Sequence, residues 1–283
     1  MKNLKDGQNM RLKTPFYPNL VRTGTLGGGS CFFHAMLTDL APSYRKFTNS
    51  GKQEYIKKLR KKLSEDVTMD EWISLGKGQV ALVPFQTTFQ TYLQALYFAI
   101  FELTAQPSEA CSIKISKLSE VNEILNNTVL KDCIEIYELI LEILPWDKIE
   151  KDSVGKAFNA CSRGQEKIND FSLDTCKEMI KNSFLEDFDT ALKSLGNVDE
   201  IRERKKIREK FSNLIILVLN SAEESAFKIF KTKLYNCSSW VDQFLLGFAG
   251  DKFKRDIYII DAKNRLPYRI FCEDLKKRRS IVI

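Results

Sequence analysis

Thr25-Leu26-Gly27-Gly28-Gly29-Ser30-Cys31-Phe32-Phe33-His34-Ala35-Met36-Leu37 runs three glycines into a cysteine and then into apolar residues at helical spacing. The pattern predicts a loop that opens a helix, with Cys31 in the first turn. A thiol in that position faces the unpaired N–H groups and the positive end of the helix dipole, which stabilise a thiolate. Glycines before it let backbone N–H groups turn toward a developing oxyanion. Cys31 is the best nucleophile candidate in the chain. The same residues also fit a Gly-rich loop ahead of a buried core cysteine, and residue chemistry alone does not separate the two.

Gly28-Gly29-Ser30-Cys31-Phe32-Phe33-His34 resembles the cysteine box of the ovarian-tumour (OTU) family of papain-like deubiquitinases, Asp-Gly-x-Cys-x-Phe/Leu-His/Arg. A second part follows in the same order. Trp240-Val241-Asp242-Gln243-Phe244-Leu245-Leu246 and Asp256-Ile257-Tyr258-Ile259-Ile260-Asp261 resemble the family's tryptophan-led helix and central strand, and Arg265-Leu266-Pro267-Tyr268 is similar to viral and protozoan members. The likeness covers roughly residues 15–105 and 236–283. It implies an α/β (α+β) papain-like fold, a small mixed sheet packed between helices with a large helical insertion. The division it implies is 1–106 for one half of the catalytic domain, 107–236 for the insertion and 237–283 for the other half. The activity implied is cleavage of the isopeptide bond after the last glycine of ubiquitin or a related modifier, in a virus or a protist. Cys31 would attack, and backbone N–H groups of Cys31 and of Gly28, Gly29 and Ser30 would hold the oxyanion. No cofactor is implied. The competing class is a binding module, an OTU-like fold without catalysis that holds ubiquitin or assembles in a virion.

The chain departs from the family at two points. Gly28 stands where the family has Asp. The family's general base is a histidine just after a C-terminal strand, whereas this sequence holds one histidine, His34. That strand is expected at Ser280-Ile281-Val282-Ile283, so the expected sequence is one cut shortly before its base. His34, three residues after Cys31, shares its helix face at roughly 5–6 Å between Cβ atoms. Cys-His enzymes draw the base from a separate element and orient it with a third group, so a packing histidine is the expected role. Trp240 is expected in the core, at the start of a helix.

The remaining composition excludes more than it assigns. With 43% hydrophobic and 11% aromatic residues, 283 residues can bury a substantial core. Seven scattered cysteines without a Cys-x-x-Cys pair or a histidine cluster argue against a disulfide framework and a zinc site, and favour a reducing compartment. No leader and no bilayer-spanning run is evident, so a cytosolic or nuclear protein is expected. The net charge of +7 lies in interleaved runs. Arg202–Arg208 alternates with glutamates, Lys57–Lys62 reads as the basic outer face of an amphipathic helix, and Lys276–Arg279 is expected between two strands. None is a nucleic-acid module. Gly24–Ser30 lacks the lysine of a phosphate-binding loop. The carboxylate pairs Asp70-Glu71 and Glu223-Glu224 carry no assigned chemistry.

Residues 1–14 are expected to be loosely ordered, 31–40 and about 52–66 helical, and Trp72–Gly78 a turn set by Gly76-Lys77-Gly78. An apolar helix over 86–103 is expected behind the cysteine helix. Helical spacing recurs at Leu130–Leu144, Ile180–Leu195 and Ile207–Val218.

Overall fold

A computed structural model describes residues 4–11, 21–75, 78–104, 172–194, 201–240, 243–260, 267–270 and 279–282. The expected helix over Leu130–Leu144 lies outside them, as do Cys111, Cys133, Cys161 and Cys272. The architecture is mixed α+β and mostly helical. By contacts the chain forms two compact units, one of Met1–Val80 with Lys228–Ile283 and one of Ala81–Phe227. The division expected from the sequence falls instead at 106/107 and 236/237.

In the first unit, β1 (Asn9–Arg11) pairs antiparallel with β2 (Val21–Thr23), Met10 opposite Arg22. Within the stretch 1–14 expected to be loosely ordered, residues 4–11 thus carry a strand, and the rest of that stretch lies outside the described residues. Asn9 and Thr23 add a side-chain hydrogen bond of 2.8 Å across the ladder, and the Gly24 N–H donates to Gln8 O at 2.8 Å. Helix α1 (Cys31–Leu40) follows, burying Phe32, Phe33, Met36 and Leu37 on one side. It ends at Ala41 because Pro42 disfavours a helical residue before it, and a 3-10 turn takes over at Pro42–Lys46. Helix α2 (Asn49–Asp66) starts under a cap, Thr48 Oγ1 accepting from Gly51 N–H at 3.2 Å.

Helix α3 (Met69–Ser74) takes the first residues of the turn expected at Trp72–Gly78, and the turn follows it, the Gly78 N–H donating to Leu75 O at 3.2 Å. Thr68 and Glu71 form a reciprocal capping box, and Trp72 is fully buried. This Thr-x-x-Glu signal outweighs the two glycines downstream for the residues before Leu75. After helix α4 (Gln79–Thr104), helix α5 (Leu173–Ser194) and helix α6 (Ile201–Tyr235), the chain forms α7 (Gln243–Phe253). It then enters a three-stranded mixed sheet. Strand β3 (Arg255–Ile260) is central, antiparallel to β4 (Pro267–Ile270) and parallel to β5 (Arg279–Val282). Strand β3 buries Asp256 and Ile257, and α7 packs against it. Residues from Lys228 in α6 belong to this unit, where Phe230 meets Trp72 at 6.3 Å and Phe248 at 6.0 Å.

The second unit is helical where it is described. The aromatic stripe of α4 is core: Phe85 and Phe89 are fully buried, and Phe89 meets Phe184 of α5 edge-on at 6.1 Å. Phe188 of α5 stacks on Phe211 of α6 at 4.3 Å.

Candidate functional site

Gly28 has φ +97°, a left-handed conformation that other residues adopt at a cost. A Cβ on Gly29 would lie 2.4 Å from the Ser238 carbonyl group. These two glycines therefore do different work: one turns the chain into α1, the other lets the segment Asn236–Ser239 lie directly on the loop. Gly27 has neither constraint, with open space where a side chain would stand. Ser30 sits at the N-cap position of α1, yet its hydroxyl does not cap the helix. It donates to Cys237 O at 3.0 Å and accepts from Arg60 Nη1 at 3.0 Å.

Cys31 opens α1 and is half-buried, a free thiol that a reagent can reach. Its own N–H, expected to face an oxyanion, donates to Gly28 O at 3.1 Å, and the His34 N–H donates to Ser30 O at 3.2 Å. Helix geometry leaves the intervening N–H groups of Phe32 and Phe33 without intrahelical acceptors. The Cys31–Gly28 turn would have to open for the Cys31 amide to serve an oxyanion.

His34 is buried, and its Nδ1 shares a 2.5 Å hydrogen bond with Tyr44 Oη in the 3-10 turn. Burial pushes its ionisation below the ordinary 6.5, partly opposed by Asp6 and reinforced by Lys52. The Tyr44 phenol is pushed up to about 12, first by burial, then by Asp6 and Tyr55. Asp6 in turn pairs with the Lys52 ammonium at 2.6 Å. The imidazole thus has one nitrogen engaged by a buried phenol and sits in a buried position that disfavours its charged form.

The residue that organises this region is one the charge pattern conceals. Arg60 is fully buried, not part of a basic outer face. The buried stripe of α2 is Lys52, Ile56, Arg60, Leu63 and Ser64. Tyr55, one residue before Ile56, is exposed. The guanidinium donates from Nε to Leu234 O (2.7 Å), from Nη2 to Lys233 O (2.7 Å), and from Nη1 to Gly29 O (3.3 Å), Ser30 Oγ and Ser239 O (3.3 Å). All five acceptors are neutral oxygens, two of them last-turn carbonyls of α6, where the helix dipole is negative. Its carbon also stands 5.3 Å from the Phe33 ring centre. Desolvation lowers the ionisation of Arg60, and the nearby Cys237 opposes this. Spacing could have revealed it, because Arg60 is four residues after Ile56 and three before Leu63 on one face.

Trp240 departs from its expected place: it is 72% exposed, so it is no core residue. It follows Ser239 directly, and Ser239 O is held by Arg60, so the backbone preceding this indole is tied to the Cys31 loop. Among the described residues, no cluster of three or more His, Cys, Asp or Glu side chains could hold a metal ion. Nor is any helix among them long and apolar enough to cross a membrane.

Fold and site together define an α+β chain with a reachable cysteine at a helix start and a clamped loop before it. No protein-family model, curated protein or solved structure matches the chain.

Proposed function

We propose that this chain carries the nucleophile of a cysteine hydrolase of OTU type, acting on the isopeptide bond after the C-terminal glycine of ubiquitin or a related modifier. The observation that carries the reading is the half-buried Cys31 thiol at the first residue of α1, behind a loop whose Gly28 and Gly29 have separate structural reasons.

In this reading the Cys31 thiolate attacks the carbonyl carbon, and the carbonyl oxygen gains charge in front of the first turn of α1. Collapse of the tetrahedral species forms a thioester with Cys31 and releases the lysine amine, which takes up a proton. Water then hydrolyses the thioester, returning the thiol. The amine needs a proton donor. Burial of His34 and the engagement of its Nδ1 by Tyr44 disfavour it as that donor.

The test is labelling by ubiquitin-propargylamide, followed by intact mass and peptide mapping. An adduct on Cys31, absent from Cys31→Ala, is the expected result, because the probe traps a thiol with little help from a base. Turnover of ubiquitin chains, unlike labelling, needs the proton donor, a contribution of about 10²–10⁴-fold. Equal labelling of the two proteins rejects Cys31 as nucleophile. Tight ubiquitin binding with no adduct identifies the binding module instead.

A further inference from the structure

We infer that Arg60 is a positioning residue for the Cys31 site, one that keeps the Ser30 hydroxyl from capping α1. The inference rests on the reading of Cys31 as the nucleophile. Serine is among the best N-cap residues because its side-chain oxygen accepts from the N–H groups of the first turn. Ser30 occupies that position and leaves them alone. Two things hold it away: the Ser30 backbone, at φ −106° and ψ 9°, is not extended as a capping residue's usually is, and its hydroxyl hydrogen points to Cys237 O while the buried Arg60 Nη1 donates to its oxygen.

The two sides of the guanidinium serve different segments. Nε and Nη2 satisfy the orphan carbonyls Leu234 O and Lys233 O at the end of α6, which alone would make Arg60 a structural C-cap. Nη1 is turned the other way, to Gly29 O, Ser30 Oγ and Ser239 O. It thus ties the loop before Cys31 to the segment before Trp240. Ser239 lies 179 residues from Arg60 in the chain and Gly29 lies 31, so no local interaction brings them together. The consequence is chemical. A capped first turn would present a hydroxyl oxygen where the reacting carbonyl oxygen has to approach, whereas an uncapped one presents N–H groups.

A double-mutant cycle separates this role from simple support. Arg60→Met should remain folded by far-ultraviolet circular dichroism but lower kinact of ubiquitin-propargylamide labelling at Cys31 at least tenfold, with KI within about threefold. Removing the freed hydroxyl should undo the loss, so that Arg60→Met/Ser30→Ala labels within about threefold of Ser30→Ala alone. A purely structural loss is not repaired by a second truncation. Wild-type kinetics in Arg60→Met, or a loss that Ser30→Ala leaves in place, overturns the inference. Where Arg60→Met does not fold, Arg60→Gln and Arg60→Lys take its place in the same cycle, and failure of all three to fold assigns Arg60 to support alone.

If the wild-type chain takes no ubiquitin probe, the functional reading fails but this one is still decided by amide exchange. Capping by Ser30 in Arg60→Met should slow exchange at Phe32 and Phe33 severalfold, and Ser30→Ala should restore it. General loosening would speed exchange instead, which would overturn the inference.

Discussion

The imidazole of His34 and the phenol of Tyr44 share one hydrogen bond in a closed pocket, and burial opposes charge on either. The sign of the pH effect follows. Because His34 ionises below its ordinary 6.5 in the folded chain, its neutral form contributes stability that is present above that value and is lost as pH falls below it. The Tyr44 contribution runs the other way, present below its ordinary 10 and lost as pH rises toward about 12. Between pH 7.5 and 5, the Tm of the wild-type chain should therefore fall more steeply than that of His34→Gln. Equal slopes would show that His34 is not the group being charged. Truncation of Tyr44 to Phe should cost about 1–3 kcal/mol, the usual penalty for a buried polar atom that loses its partner. At this scale, the positions of Cys31 and His34 followed from helical spacing. Arg60 and Trp240 did not, because a charged residue in a basic run and an aromatic beside a helix each look like the commoner case. Spacing from Ile56 and Leu63 puts Arg60 on the buried face, but three of the oxygens that satisfy it there, of Lys233, Leu234 and Ser239, come from the other end of the chain, which no local pattern records.

Helix α3 is a six-residue element held at its N-terminal end by polar contacts rather than by length. Thr68 Oγ1 accepts from Glu71 N–H at 3.2 Å, Glu71 Oε2 accepts from Thr68 N–H at 3.3 Å, and Glu71 Oε1 accepts from the Lys252 ammonium of α7 at 2.6 Å. The Lys252 contact is the main cause that holds the Glu71 carboxyl below its ordinary 4.5. Its contribution is present above that value and disappears on further acidification. Thr68→Ala should lower the unfolding free energy by about 0.5–2 kcal/mol, measured by urea titration at neutral pH, with unchanged m. A change within error would mean that burial of Trp72 alone holds this helix. The limits of α1 were legible because apolar periodicity and Pro42 agree there, and the strands that the resemblance placed at 256–261 and 280–283 begin at 255 and 279. For α3 two signals conflict, and the nearer one, the capping box, governs.

At the scale of the molecule, the first unit draws on both ends of the sequence, Met1–Val80 and Lys228–Ile283, and every contact described around Cys31 lies inside it. Periodicity marks helices one at a time but carries no information on which of them share a core. Boundaries set by a change of character along the chain therefore fall elsewhere than those set by contacts. The second unit depends on its own aromatic packing, in which the Phe188 and Phe211 rings stack at 4.3 Å and both side chains are buried. Truncating either to Ala removes a large buried ring and leaves a cavity, a change that costs about 3–5 kcal/mol. Phe211→Ala should therefore raise native-state amide exchange in α5 and in α6 before Lys228. Amides of residues 28–34 should keep their wild-type rates, because their partners Tyr44, Arg60 and Cys237 all belong to the first unit. Exchange followed by mass spectrometry on overlapping peptides resolves the two regions in one experiment. Acceleration at 28–34 in step with α5 would mean that the Cys31 loop opens only with the helical unit, and that the two units unfold as one.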